Sequence, residues 1–230
     1  ILNAEADLSR RCLSYDMQGL SYREYMIMYH NIHLPLVSLS DILHNSVAIC
    51  EQVNKLCRPL EHFTHYMQQG YYPFGAEGFA TYNQRLENTV DLLLNIELPQ
   101  LRKVDIGNIR KLKALLFVLA SEVPMLVDTA KLSTLLGISR NTLLAYLEYL
   151  DEAKLIKRLY SDDLSVKKMQ KPDKILMDNC NLLKVLALKE PNIGTLRETF
   201  FCNQLGYQHQ VEYSKQGDFL IDHHITFEIG

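Results

Sequence analysis

The chain has 230 residues, of which 47% are hydrophobic and 22% charged, and its formal net charge is −3. This composition predicts a globular protein with two or three small cores, and it excludes a disordered chain and a fibrous repeat. No apolar run approaches the roughly 18 residues that span a bilayer, so no membrane segment is predicted. Five scattered cysteines without a Cys-x-x-Cys pair predict reduced thiols in a cytoplasmic protein and no zinc site.

The first 36 residues predict an edge strand and a helix. Residues 12–17 alternate in polarity, as a strand does when the rest of its sheet lies upstream. Ser21, followed by Glu24 three residues later, is typical of a capping box that opens a helix. Because the sequence begins at Ile1, with neither a start methionine nor a signal peptide, we expect its numbering to begin inside a longer gene product.

Residues 38–101 have a helical pattern throughout. Ser40 or Asp41 is predicted to cap a helix that runs to Leu56, and a second helix is predicted from Pro59 to Gly70. A third helix is predicted over residues 79–96, with these side chains buried: Tyr82, Leu86, Val90 and Leu93. Together they predict a small bundle that packs against a neighbouring domain.

Residues 105–174 carry the clearest pattern, that of a winged helix-turn-helix. An amphipathic helix is predicted over residues 106–122, with Ile109, Leu112, Leu115, Leu116 and Leu119 facing inward. Asp128 is predicted to cap a helix that ends at Gly137, and Ser139 to cap a helix over residues 140–153. Residues 155–160 and 174–177 are predicted strands around a polar loop. This order of elements is typical of a winged helix.

The same region is the basic part of the chain, because residues 103–174 hold thirteen Lys and Arg against nine Asp and Glu. In helix-turn-helix proteins the first turn of the second helix of the motif meets the major groove, where Arg and Asn can read base edges. We therefore expect Ser139, Arg140, Asn141 and Thr142 to face DNA. The side chains expected to hold phosphates are Lys131, Tyr146, Lys157, Arg158, Lys167 and Lys168. The alternative is docking on another part of the same protein.

The tail after Asp178 predicts an α/β unit with helices over residues 181–188 and 193–205, followed by three short strands. Glu198 falls on the second helix, and Asp218 and Glu228 fall on successive strands. Three such carboxylates, if brought together, could hold a divalent metal that activates water for phosphodiester cleavage. The alternative is three separate surface or capping acids.

Arg10 and Arg11 follow a polar turn near the start of the chain. Adjacent arginines there could reach a nucleotide phosphate and stabilise charge in phosphoryl transfer, and the alternative is a salt-bridged surface pair. The sequence holds no Gly-rich phosphate loop. We therefore expect this segment not to bind ATP by itself.

The chain resembles a family of prokaryotic AAA-type ATPases, common in Bacteroidetes-like bacteria, with a C-terminal domain of uncharacterised function. The resemblance covers essentially the whole chain. It rests on the order of short motifs at residues 6–11 (Ala-Asp-Leu-Ser-Arg-Arg), 17–25, 70–74 (Gly-Tyr-Tyr-Pro-Phe), 82–88, 137–143 (Gly-Ile-Ser-Arg-Asn-Thr-Leu), 192–201 and 216–219.

The resemblance implies a mainly α fold with an α/β tail, divided into four parts. They are the end of a P-loop ATPase core (residues 1–36), a helical lid subdomain (37–102), a winged helix-turn-helix (103–177) and an incomplete restriction-endonuclease-like α/β domain (178–230). It also implies that Arg11, rather than Arg10, senses nucleotide, and that Glu198, Asp218 and Glu228 are the nuclease-like acids. Active members of that fold carry a lysine two residues after the last acid, where this chain has Gly230. We therefore expect a degenerate site.

The resulting expectation is the C-terminal region of an AAA-type ATPase that couples nucleotide state to DNA or partner binding through a winged helix. ATP and Mg are its expected cofactors in the full-length protein, and none is expected in this segment, with Asp218 and Glu228 as the candidate metal ligands. The expected partners are double-stranded DNA, the upstream ATPase domain and further copies in an oligomer, without a membrane. The alternatives are a metal-dependent nuclease and a protein–protein adaptor that does not bind DNA.

Overall fold

The computed structural model describes residues 16–102, 106–161 and 171–230. Within these ranges the chain is mainly helical, with two small antiparallel sheets in its C-terminal part, as the predicted fold class requires. The predictions made for Arg10, Arg11, Lys167, Lys168 and most of the edge strand (residues 12–15) lie outside the described residues. No helix in the described ranges has both the length and the apolar character needed to cross a membrane.

The chain enters the described region through two capped helices. Helix α1 (Tyr22–His30) has the predicted capping box, in which the Ser21 hydroxyl accepts from the Glu24 amide and the Glu24 carboxylate accepts from the Ser21 amide. Helix α2 (Leu39–Leu56) is capped by Ser38, so the prediction of Ser40 or Asp41 as the cap was wrong. Asp41 instead occupies the third helical position, where it completes a second capping box with Ser38.

Helix α3 (Pro59–Gln69) begins and ends as predicted, and two 3-10 turns (Pro73–Glu77 and Phe79–Thr81) follow it. Helix α4 (Tyr82–Leu92) then continues through a π-helical segment (Leu93–Glu97) into α5 (Leu98–Arg102). Leu94, not the predicted Leu93, is buried after Val90. The i→i+5 turns of the π segment explain the shift, since they keep residues four apart on one face.

The next six elements are α6 (Ile106–Glu122), β1 (Met125–Leu126), α7 (Thr129–Leu136), α8 (Arg140–Glu152), β2 (Ile156–Leu159) and β3 (Lys174–Met177). The strands form an antiparallel sheet in the order β1-β3-β2. The predicted inward positions of α6 are buried, and Asp128 and Ser139 accept the backbone hydrogen bonds expected of helix caps. Gly137 ends α7 in the left-handed region at φ 59°, a conformation in which a side chain would add strain.

The tail consists of α9 (Cys180–Leu186), α10 (Ile193–Leu205) and an antiparallel sheet of β4 (Val211–Tyr213), β5 (Phe219–Ile221) and β6 (Ile225–Phe227). Its sheet does not stand apart from the first one. Leu159 and Leu176 of the first sheet share a small core with Phe219 and Ile221 of the second. The Tyr213 amide also donates to the Tyr160 carbonyl at 2.9 Å. The basic region and the tail are therefore packed together.

Asn181, on the first turn of α9, ties the tail to the N-terminal helices. It is only 1% exposed. Its Oδ1 atom accepts from the Tyr71 amide at 2.8 Å and from the Tyr82 hydroxyl. Its Nδ2 atom donates to the carbonyls of Tyr66 at 3.0 Å and Met67 at 2.8 Å, at the end of α3. One side-chain amide therefore satisfies three backbone groups and a tyrosine hydroxyl away from water.

We expect Asn181→Ala to lower the free energy of unfolding by about 3–5 kcal/mol, because it leaves several buried polar groups without partners. The measurement is urea unfolding followed by circular dichroism. Asn88→Ala is the matched control, since Asn88 is exposed and its side chain accepts a hydrogen bond from Gln84 on its own helix. Equal losses in the two variants would contradict the role given to Asn181.

Candidate functional site

The first turn of α8 presents two free polar side chains. Arg140 and Asn141 are exposed, and neither forms a hydrogen bond or an ion pair with another residue of the described ranges. The neighbouring Ser139 hydroxyl is occupied as the helix cap, since it accepts from the Thr142 amide at 3.1 Å and contacts the Thr142 hydroxyl at 2.8 Å. Arg140 and Asn141 are thus available to a ligand, while Ser139 and Thr142 fix the start of the helix.

The structure places the predicted phosphate contacts in different surroundings. Lys131 is exposed on α7 and remains a candidate. Tyr146 is buried in the main core at 4% exposure, so its prediction as a phosphate contact is wrong. Arg158 is held by Asp151, whose carboxylate accepts from the Arg158 side chain at 3.0 Å and from its amide at 3.2 Å. Lys157 lines a cavity beside Asp178.

This cavity has a volume of about 230 Å³ and lies where α8, β2 and α10 meet. Asp178 is a half-buried acid in its lining, together with Lys154 and Lys157. Burial raises the pKa of Asp178 to about 6, although the Asn179 side chain and the two lysines favour the charged form. Of the residues that line this cavity, sequence reasoning had selected Lys157 as a phosphate contact but not Asp178, because a single Asp between a strand and a helix gives no signal.

Two of the three predicted acids, Glu198 and Asp218, form ion pairs with a lysine that sequence reasoning missed. Lys174, the first residue of β3, places its Nζ atom 2.6 Å from Glu198 Oε2 on α10 and 3.6 Å from Asp218 Oδ1, next to β5. Asp218 also accepts from the Ile229 amide at 2.8 Å, which holds the following strand end against it. Glu228 is exposed at the rim. Lys174 begins a strand whose other residues are apolar. A charged residue at that position was the feature of the sequence that could have indicated its role.

Burial raises the pKa of Glu198 above its ordinary value. The hydrogen bond and the charge of Lys174 oppose the shift, whereas the charges of Asp218 and Glu228 add to it. All three acids are therefore close enough to interact. Among the described residues, however, no three His, Cys, Asp or Glu side chains are arranged to hold a metal ion. The geometry does not fit the divalent metal that three converging carboxylates could hold.

Comparison with known proteins places residues 60–192 in a family described as a domain of unknown function (DUF8612). The chain belongs to this family. It is also 23% identical over 239 residues to the uncharacterized protein MJ1637 of Methanocaldococcus jannaschii, an alignment that covers 96% of this chain and 50% of that protein. The chain thus spans about half the length of this curated relative. No solved structure matches it.

We expect the contribution of Asp178 to the free energy of unfolding to fall as the pH rises from about 4 to about 6, because Asp178 loses its proton across that window. Its pKa is about 6 in the folded chain against an ordinary value of 3.8, so the folded state binds the proton more tightly across that window. Asp178→Asn should remove this decline and gain about 1–3 kcal/mol over the wild type above pH 6.

The measurement is urea unfolding of both proteins from pH 4 to pH 8. Asp91→Asn is the control, because Asp91 is exposed and pairs with Lys113 at the surface. A difference between the wild type and Asp178→Asn that does not change with pH would show that Asp178 ionises normally.

Proposed function

We propose that the chain is the C-terminal region of an AAA-type ATPase and that it binds duplex DNA through a winged helix formed by α6 to β3. The observation that carries the proposal is that Arg140 and Asn141, on the first turn of α8, are exposed and pair with no other side chain that the structure describes. Both side chains can form two hydrogen bonds with one base, Arg with guanine and Asn with adenine. Lys131, exposed on α7, is close enough in the chain to add a phosphate contact.

The order of the elements supports this assignment. The order is a helix, a short strand, two helices joined by Gly137 and two further strands. The first strand, β1, lies at the edge of the sheet and pairs with the last strand, β3. Such an arrangement leaves the second helix of the turn motif exposed at its N-terminal end. A helix N-terminus also attracts phosphate, because its unpaired amides and its dipole favour negative charge.

Coupling to an ATPase is supported by the resemblance and by the packing. The relative from Methanocaldococcus jannaschii is about twice as long as the matched region, which leaves length for a nucleotide-binding domain in a protein of that kind. Asn181 connects the N-terminal helices to α9, and α9 packs against α6 and β3 in the main core. A movement of the helical region would therefore reach the DNA-binding face through buried contacts.

A second candidate function is a protein–protein adaptor, and a groove along α7, which Lys131 also lines, favours it. This groove of about 520 Å³ lies between α6, β1 and α7 and includes the exposed apolar side chains of Phe117, Leu126, Leu135 and Leu188. Exposed apolar side chains that line one groove are typical of a docking surface. If the chain is an adaptor, the basic residues of this region form a face exposed to solvent.

We expect Arg140→Ala and Asn141→Ala each to weaken duplex binding by about 1–3 kcal/mol, because each removes contacts with a base edge. The measurement is fluorescence anisotropy with a duplex enriched from a random-sequence library, repeated at several salt concentrations. Arg58→Ala and Asn88→Ala are matched controls on exposed residues of the helical region, and they should bind like the wild type.

Failure to retain any duplex at about 50 mM salt would contradict DNA binding and leave the adaptor as the better account. Equal affinities of Arg140→Ala and Arg58→Ala would show that DNA, if bound, is held elsewhere.

A further inference from the structure

The cavity where α8, β2 and α10 meet holds two half-buried charges of opposite sign, those of Lys157 and Asp178. Lys157 is opposite Leu176 in the ladder of β2 and β3. Asp178 follows two residues after Leu176, and its amide extends the ladder by donating to the Leu155 carbonyl at 3.1 Å. Because side chains two residues apart point to the same face of a strand, Lys157 and Asp178 lie on one face of the sheet.

The two charges are not paired with each other. Asp178 accepts hydrogen bonds from the Asn179 side chain at 3.2 Å and from the Tyr71 hydroxyl at 3.5 Å, but it forms no ion pair with a described cation. The side chain of Lys157 forms no hydrogen bond or ion pair within the described ranges. Burial raises the pKa of Asp178, and the charge of Lys157 opposes that shift. The two groups are therefore close enough to interact without touching.

Three further charged residues line the cavity, and each has a partner outside it. The pairs are Asp151 with Arg158, Glu152 with Arg102, and Lys154 with Asp16. A charge that already has a partner attracts a ligand less than a charge that has none. Lys157 and Asp178 are therefore the two groups of the lining that most favour a charged ligand.

The cavity also has an apolar side and a limited volume. Ile156 and Cys202, which are 1% and 2% exposed, form its buried side, whereas Gln18 and Glu152 are exposed at its opening. Its volume of about 230 Å³ equals that of about eight water molecules at roughly 30 Å³ each. Sites for drug-sized ligands are larger, at roughly 300–1,000 Å³. The cavity therefore suits a small molecule that carries both charges and a short apolar group.

A free α-amino acid combines an ammonium, a carboxylate and a side chain on one carbon. We propose that the cavity binds a free α-amino acid with a small apolar side chain, whose ammonium pairs with Asp178 and whose carboxylate pairs with Lys157. The side chain of the ligand lies against Ile156 and Cys202. Hydrogen bonds between charged groups are strong, and more so away from bulk water. A ligand with one charge leaves either Asp178 or Lys157 without a partner. This inference does not depend on DNA binding by α8.

The test titrates the wild-type chain with L-alanine and with L-valine in a calorimeter and measures the melting temperature with and without each. At least one of them should bind and, at saturation, raise the melting temperature by about 2–6 °C. The N-acetyl derivative of that amino acid lacks the ammonium, and its amide lacks the carboxylate. Each should bind about 10–100-fold more weakly, because a charge of the cavity then has no partner.

Asp178→Asn and Lys157→Met should each weaken binding of the amino acid by about 10–100-fold. Lys113→Met and Asp91→Asn are matched controls, since these two residues form an ion pair and do not line the cavity. Both controls should bind like the wild type. Circular dichroism checks that the variants are folded, and the comparison of the derivatives on the wild type needs no variant.

Absence of binding by both amino acids would overturn the proposal. Equal affinities for the amino acid and its two derivatives would also overturn it, because the charges would then play no part in recognition. An affinity that Asp178→Asn and Lys157→Met leave unchanged would place the amino acid elsewhere on the chain and would likewise refute the site.

Discussion

The structure depends most on a single buried amide, that of Asn181. Its four hydrogen bonds connect the end of α3, the turn after it and α4 to the first turn of α9. Buried backbone groups need partners, and at this junction Asn181 supplies them for the Tyr71 amide and the Met67 carbonyl. The polar contact therefore fixes the position of the N-terminal helices on α9, and the apolar core of α1, α3, α4, α6 and α9 closes around it.

Beyond α9 the two sheets are joined in a different way. Leu159, Leu176, Phe219 and Ile221 form their common apolar core, and Lys174 closes its edge with Glu198 and Asp218. A buried ion pair gives less net stability than its Coulomb energy suggests, because both ions lose their water. In this structure the pair joins β3 to α10 and to the residue before β5.

The helical part of the fold could be predicted from the sequence, because residues close together in the chain determine where its helices begin and end. Asp128, Gly137 and Ser139 set the limits of α7 and α8 through short-range hydrogen bonds and one left-handed residue, and both helices lie close to their predicted ranges. Strand β1 was not predicted, because two residues carry no periodicity and owe their pairing to Ile175 and Lys174, some 50 residues away.

The candidate sites were predictable only in part. The three acids of the tail could be chosen by residue type and order, whereas Lys174 is brought to them by the tertiary packing of another strand. Tyr146 shows the opposite error. Its polar hydroxyl and helical position favoured a phosphate contact, but its ring lies on the inward face of α8 with Leu143, Leu147 and Leu150.

The central claim, that Asn181 and the shared cores make the described chain one cooperative unit, is tested most directly by native-state hydrogen exchange of the wild type in increasing urea. The account predicts that the slowest amides of α3, α6, α9 and α10 exchange with one common free energy, while those of α2, which has no buried residue, exchange at a lower one. A distinctly lower free energy shared by all amides of α10 and β4–β6, but not by those of α6, would contradict it.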